Sequence, residues 1–294
     1  MNSIKGTGVA LVTPFDENGN VDALALSRLV EYVIDGGVEY LVILGTTGES
    51  VTLSKDEKKT VIETVRKTNK GRLPMVLGVG GNDTAQVINE LKNPDLNDMT
   101  AILSVSPYYN KPTQAGIYAH YAAIAAASPK PIILYNVPGR TGSNIAADTV
   151  VGLANDFKNI IAVKEASGNI AQVMDIINRK PNDFVVLSGD DALTLAIIAC
   201  GGEGVISVVG EAAPRKFSNM VRAAMANRME EARKIHYDLL DFTDLLFAEG
   251  NPAGVKAALS HFGVMNNSVR MPLVKATEEL SKRIVTEIER NQIN

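Results

Sequence analysis

Cysteine is nearly missing from the 294-residue chain: it occurs once, at Cys200, so no disulfide can close within the chain. Cys200 lies in "LAIIACGG", where a helix is expected to end at glycine, and reads as a small buried side chain rather than a nucleophile. A single cysteine fits a reducing compartment, so a cytoplasmic protein is expected. Histidine is almost as scarce. His120, His236 and His261 show no mutual metal-ligand spacing, and with one cysteine no zinc site is expected. No charge excess marks a polyanionic partner: 29 Lys and Arg face 33 Asp and Glu, the net charge is −4, and no basic stretch points to nucleic acid or an anionic membrane. No uncharged apolar run reaches the roughly 18 residues a membrane span needs. The richest stretch, 192–209, is interrupted by Gly201, Gly202, Glu203 and Gly204. The start, "MNSIKGTGVALVTPF", lacks the charged and then apolar pattern of a signal peptide, so export is not expected. Also missing are a Pro/Ser-rich linker, a low-complexity tract and a helical-repeat signature.

What the chain does have is a rhythm. Short apolar runs recur at 8–13, 40–45, 74–80, 100–106, 131–136, 160–164, 184–189 and 204–209. Each is near-continuously hydrophobic, as strands covered on both faces are. Helical periodicity separates them. Residues 22–35 set Leu26, Leu29, Val30 and Val33 on one stripe, and Ser54 with Glu57 makes a capping-box signature before Val61, Ile62 and Val65. Weaker patterns cover 83–92, 113–127, 146–155, 170–179, 190–200 and 215–228. Eight strand–helix units predict an α/β fold of the closed (β/α)8 barrel type. The competing doubly wound sheet loses support because no GxGxxG follows the first run. Residues 1–228 are expected to form the barrel, and 229–294 a helical region of three helices, one opening after Asn251-Pro252 and all packed on the barrel or on a second subunit.

Lys164 ends the sixth run, "IIAVK". Lysine is almost never fully buried unless paired, and barrel chemistry gathers where strands end. Taking an amine out of water disfavours its charged form, and a neutral amine can add to a carbonyl to form a Schiff base. The alternative is a lysine leaning out to pair with Glu165 or another acid.

The neighbouring strand ends add to this. "GTTGES" at 45–50 follows the second run. Small residues between glycines let backbone N–H groups point inward as an anion nest, and the hydroxyls of Thr46 and Thr47 can relay a proton. "SPYYNKP" follows the fourth run. "YNVPGRTG" follows the fifth, with Tyr135 at the strand end and Arg140 placed for a carboxylate. The loops after runs seven and eight carry Asp190, Asp191 and Glu211 where barrel enzymes often hold phosphate. Acidic groups there would repel a dianion, so a small carbonyl acid fits better than a sugar phosphate.

Taken together, "GTGVALVTPF", "GTTGES", "GVGGNDTA", "SPYYNKP", "YNVPGRTG", "IAVKEASG", "SGDD" and "NPAGVKAAL" resemble the dihydrodipicolinate synthase family over essentially the full length. This family belongs to the pyruvate-dependent class I aldolases that include N-acetylneuraminate lyase. The resemblance implies a lyase that condenses pyruvate with L-aspartate 4-semialdehyde in lysine and diaminopimelate biosynthesis, with no metal or organic cofactor. It implies Lys164 as the Schiff-base lysine, and Tyr135, Thr47 and Tyr109 as a proton relay, with Tyr109 reaching a neighbouring subunit's site. Thr46 and Thr47 would bind the pyruvate carboxylate and Arg140 that of the semialdehyde, while the backbone at Gly189 and Ile206 would line the pocket. A homotetramer built as a dimer of dimers is the implied assembly. Two rivals stay open: a sibling lyase or aldolase acting on a sialic acid or keto-deoxy sugar acid, which Arg140 argues against, and a non-catalytic keto-acid sensor.

Overall fold

The computed structural model describes residues 4–293. Eight parallel strands close in sequence order: β1 (Gly6–Ala10), β2 (Tyr40–Ile43), β3 (Met75–Gly78), β4 (Ala101–Val105), β5 (Ile132–Asn136), β6 (Ile160–Glu165), β7 (Val185–Ser188) and β8 (Gly204–Ser207). The (β/α)8 barrel anticipated from the eight alternating units is therefore present. Between the strands run α1 (Ala23–Asp35), α2 (Lys55–Asn69), α3 (Thr84–Glu90), α4 (Gln114–Ala127), α5 (Pro138–Thr141), α6 (Ala147–Asp156), α7 (Ile170–Arg179) and α8 (Thr194–Ala199), and α9 (Val209–Ala212) comes after β8. Then follow α10 (Pro214–Met225), α11 (Met229–Phe247), α12 (Ala253–His261) and α13 (Glu278–Arg290).

Alternate residues along the strands divide the core in two. Ala10, Tyr40, Val42, Val76, Leu103, Ile133, Ala162, Leu187 and Ile206 fill the barrel interior. Val9, Leu41, Ile43, Ile102, Leu134, Val163 and Val186 face the helices. Two buried faces explain why the runs read as continuously apolar. Gly8 makes the interior possible on its side: a Cβ there would stand 2.1 Å from the ring of Tyr40, whose hydroxyl donates to the Val205 carbonyl at 3.0 Å.

The capping box on α2 forms as its sequence foretells, Glu57 N–H donating to Ser54 Oγ at 3.2 Å and Ser54 N–H to the Glu57 carboxylate at 2.8 Å. Two boundaries differ from the periodicity. The first run leaves the ladder after Ala10, because the Val12 N–H turns to the Glu211 carboxylate at 2.7 Å and Thr13 Oγ1 to the Gly48 carbonyl at 2.7 Å. Helix α8 starts at Thr194 rather than near 190, because Ser188 Oγ and Thr194 Oγ1 hold the Asp190 carbonyl in a turn at 2.7 and 2.8 Å. The one-turn helices α5 and α9 were not foreseen, since a single turn has no periodicity to read. Cys200 is half-buried at the end of α8, not fully packed.

Candidate active site

Lys164 sits at the end of β6, 6% exposed, opposite Tyr135 of β5 and Leu187 of β7 in the ladder. The sheet register thus sets Tyr135 beside Lys164, and the amine lies 4.3 Å from the centre of the Tyr135 ring. Among the described residues, no carboxylate pairs with it. Glu165, the partner the alternative reading required, points to the opposite face of the strand. Its carboxylate accepts from Asn136 Nδ2 at 3.1 and 3.0 Å, from Ser167 N–H at 2.7 Å and from Gln172 Nε2 at 2.9 Å. Asn144 completes this cluster, accepting from Asn136 Nδ2 at 2.7 Å. The polar cluster fixes the ends of β5 and β6 from behind, and leaves the amine alone in front.

Gly189 follows β7. A Cβ there would meet Lys164 Cγ and Cε at 3.0 Å and Ala166 Cβ at 2.8 Å, so the missing side chain is the space the lysine stem occupies. Ile206, 1% exposed on β8, faces the same interior. Both residues thus stand on the barrel side that carries Lys164.

The "GTTGES" segment forms a 3₁₀ turn at Thr46–Gly48. The N–H groups of Gly48 and Glu49 close it on the carbonyls of Gly45 and Thr46, both at 3.1 Å. The N–H groups of Thr46 and Thr47 open the turn and have no protein acceptor among the described residues, as the first donors of any helical turn lack one. Thr46 is exposed, whereas Thr47 is 3% exposed and accepts from Asn251 Nδ2 at 2.9 Å. Gly78 lets the loop leading into the turn cross β3, because a Cβ there would stand 2.3 Å from the Leu44 carbonyl oxygen. Leu44 (φ 57°) and Glu49 (φ 51°), on either side of the turn, adopt left-handed backbone that non-glycine residues rarely take. Such strain persists where surrounding contacts over-determine it.

Arg140 lies on the exposed one-turn helix α5, two loops from the amine in chain order and on the same rim. Tyr109 is not brought inward. It is 89% exposed at φ 72°, its N–H 3.4 Å from the Thr141 carbonyl in the Arg140 loop. Of the foreseen residues, one chain gathers Lys164, Tyr135, Gly189 and Ile206 around the barrel mouth, with the Thr46–Thr47 turn and Arg140 on the rim.

The acidic residues after β7 and β8 serve the scaffold. Asp191 accepts from the N–H groups of Val208 and Val209 at 3.0 and 3.2 Å and from the Ser207 hydroxyl. Burial pushes its carboxyl up, against the pull of those donors. The backbone donors where barrel enzymes often seat a phosphate are thus already occupied by a side chain of the protein. Among the described residues, no three His, Cys, Asp or Glu side chains are grouped to hold a metal ion.

Sequence reasoning missed the long-range partners of the turn. Glu49, 3% exposed, receives Lys256 Nζ at 2.5 Å and the Arg270 N–H at 2.9 Å. Lys256 Nζ also donates to the carbonyls of Thr13 and Ser268 at 2.8 Å each. A lysine inside the apolar run "AGVKAAL" was the available signal, since a buried lysine needs a partner.

The whole chain is similar to known proteins. The family model described as the Dihydrodipicolinate synthetase family matches residues 3–291. The 4-hydroxy-tetrahydrodipicolinate synthase of Flavobacterium psychrophilum is 57% identical over 284 residues, covering 97% of each chain. The crystal structure of dihydrodipicolinate synthase from Aquifex aeolicus is similar with a TM-score of 0.94 at 39% identity, over 99% of both chains. That of the chloride-inhibited dihydrodipicolinate synthase from Acinetobacter baumannii, complexed with pyruvate, gives 0.95 at 37% identity, over 99% of this chain and 100% of that one. A barrel with its unpaired lysine at the sixth strand end, matched over nearly every residue, belongs to the dihydrodipicolinate synthetase family.

Proposed function

We propose that the chain condenses pyruvate with L-aspartate 4-semialdehyde through a Schiff base on Lys164, giving 4-hydroxy-tetrahydrodipicolinate. The observation that carries this reading is the buried amine of Lys164, free of any carboxylate partner among the described residues and set beside the Tyr135 ring. Lys164 adds to the pyruvate carbonyl and water leaves. The protonated imine draws electrons from the methyl group, which gives up a proton to form an enamine. The enamine carbon attacks the aldehyde of the semialdehyde. The semialdehyde's amine then displaces Lys164 from the imine carbon, which closes the ring and restores the enzyme.

The open N–H groups of Thr46 and Thr47 suit the pyruvate carboxylate. Arg140 suits the carboxylate of the second substrate, a fork matched to a planar anion. Tyr135 and Thr47 carry protons within the subunit, and Tyr109 of a neighbouring copy completes the relay. Gly189 and Ile206 shape the pocket. In this reading residues 1–228 supply the chemistry and 229–294 brace it. Tyr109, 89% exposed at the rim, is open to a neighbouring copy, and the assembly we propose is a dimer that pairs again into a tetramer.

The test is borohydride reduction in the presence of pyruvate, followed by peptide mass analysis. The wild type should carry a reduced pyruvate adduct at Lys164 and should turn over aspartate semialdehyde in preference to sugar aldehydes. The Lys164→Ala variant should show neither. An unmodified wild type, or full turnover by Lys164→Ala, would end the proposal.

A further inference from the structure

The proton relay of the proposed reaction needs a direction, and the only side-chain contact to Thr47 Oγ1 comes from 204 residues away, among the described residues. We propose that Asn251 is a positioning residue: its amide fixes which way the Thr47 hydroxyl donates its proton. This rests on the reading of Thr47 as a relay hydroxyl.

A hydroxyl has one proton to give and two lone pairs to receive with. Asn251 Nδ2 donates to Thr47 Oγ1 at 2.9 Å, so one lone pair is taken and the proton cannot point at Asn251. Both side chains are buried, Thr47 at 3% and Asn251 at 8%, so bulk water does not compete for the hydroxyl. The amide is used as a donor only. Its oxygen Oδ1 is buried and has no hydrogen-bond partner among the described residues, an arrangement that ordinarily destabilises a folded chain by about 1–3 kcal/mol. A residue kept for packing would do better apolar. A residue kept to donate needs a polar hydrogen, and the amide supplies one without a charge.

The turn around Thr47 is held so that this donation has a fixed target. The Gly48 carbonyl accepts from Thr13 Oγ1 at 2.7 Å. The Glu49 carboxylate accepts from Lys256 Nζ at 2.5 Å and from the Arg270 N–H at 2.9 Å. Thr47, Gly48 and Glu49 are thus tied one after another. Two of the four ties come from a single stretch, Asn251 at the entry to α12 and Lys256 within it. Lys256 anchors the backbone and Asn251 orients the hydroxyl.

Asparagine and aspartate have the same shape and opposite polarity at this contact. A carboxylate can only accept, so Asn251→Asp should pull the Thr47 proton backwards out of the relay. The experiment measures kcat, KM for pyruvate, solvent exchange of the pyruvate methyl protons and urea unfolding for Asn251→Asp, Asn251→Ala, Thr47→Val and the Thr47→Val/Asn251→Asp double variant. Asn251→Asp should lower kcat and methyl exchange by about 100-fold, the scale of a misplaced reacting group, with KM within a few-fold of wild type. Its deficit should narrow as pH falls through the carboxylate range, because a protonated carboxyl can donate again. Asn251→Ala, which frees the hydroxyl without reversing it, should lose about tenfold, less than misplacement does. The double variant should be no slower than Thr47→Val alone, as residues acting through one hydroxyl are not additive.

Wild-type kcat in Asn251→Asp while Thr47→Val is slow overturns the proposal. So does a loss in Asn251→Asp that is pH-independent, tracks lowered stability and adds to that of Thr47→Val. A fast Thr47→Val would instead remove the relay reading itself.

Discussion

Replacing Gly189 by alanine isolates the geometry on which the lysine depends. The added Cβ would stand 3.0 Å from Lys164 Cγ and Cε and 2.8 Å from Ala166 Cβ. Relaxed carbon contacts lie at about 3.5–4.0 Å, so roughly half an ångström to one ångström must be recovered at three atoms. The backbone cannot slide to recover it. The Gly189 N–H is bonded to the Glu165 carbonyl at 2.8 Å and the Ala166 N–H to that of Asn136 at 2.9 Å. The φ of Gly189 is outside the left-handed region, so alanine meets a steric conflict and no backbone penalty. The softest member is the lysine stem, and its swing moves the amine. Overpacking of this kind destabilises by about 1–3 kcal/mol. An amine displaced by up to an ångström should form its imine about 100-fold more slowly. The assay is the rate at which a reducible pyruvate adduct appears on Lys164, read by mass, beside urea unfolding. Gly152→Ala is the control: its Cβ would meet Tyr118 Cε2 at an ordinary 3.7 Å inside α6, where alanine favours the helix by about 0.5–1 kcal/mol. Imine formation by Gly189→Ala at the wild-type rate, with unchanged stability, would refute the view that this glycine makes room for the nucleophile.

Two further outcomes are expected. Burial pushes the Glu211 carboxyl up to about 8, against the pull of the Val12 N–H and of Lys256, so the folded chain holds a proton that the unfolded chain releases near 4.5. Its contribution is present in full below pH 4.5 and lost as pH rises to about 8, several kcal/mol at most. Wild type should therefore lose stability relative to Glu211→Gln in urea titrations read up to about pH 7, because Lys256, brought down to about 8, itself titrates around the top of the window; a gap that stays constant with pH would sink this. Sedimentation velocity of the purified chain should give the mass of four copies, and a single 31.4 kDa species would remove the neighbouring Tyr109 from the relay.

The barrel was legible because each strand is buried on both faces and each long helix on one. Those burial demands write themselves into eight apolar runs and the stripes between them. Lys164 was legible for the converse reason, a charge at the end of a run that excludes charge. Tyr135 could be placed because strand ends share one rim, whereas Gly189 came only from the resemblance to the family. What the sequence could not show is contact across the chain. Asn251 meets Thr47, Lys256 meets Glu49, and Glu211 meets Val12 over 204, 207 and 199 residues. No local period encodes such pairs; only burial of a polar group hints that a partner exists. The acids after β7 and β8 were seen as charges facing a ligand, and the fold turns Asp191 and Glu211 onto backbone N–H groups of the protein itself.

Among the described residues two lysines are buried, and their surroundings differ. Lys256, 0% exposed, has all three of its proton donors satisfied, by Glu49 and by the carbonyls of Thr13 and Ser268, and it lies 4.4 Å from the centre of the Phe15 ring. Such an ammonium cannot be spared: removing one member of a buried pair leaves the other charge uncompensated, at about 3–5 kcal/mol. Burial brings it down to about 8 even so, and Glu49 pulls it back toward its charged form. Lys164, at 6% exposure, has an aromatic face beside it and no carboxylate among the described residues. Among the described residues, no hydrogen-bond or ion-pair partner competes with a carbonyl for its nitrogen. Glu165, one residue on, could have been that competitor. Strand alternation sends it to the outer face, and Asn136, Ser167 and Gln172 keep it there. On the role proposed for Lys164, the barrel prepares its nucleophile less by what it places against the amine than by where it sends the nearest acid.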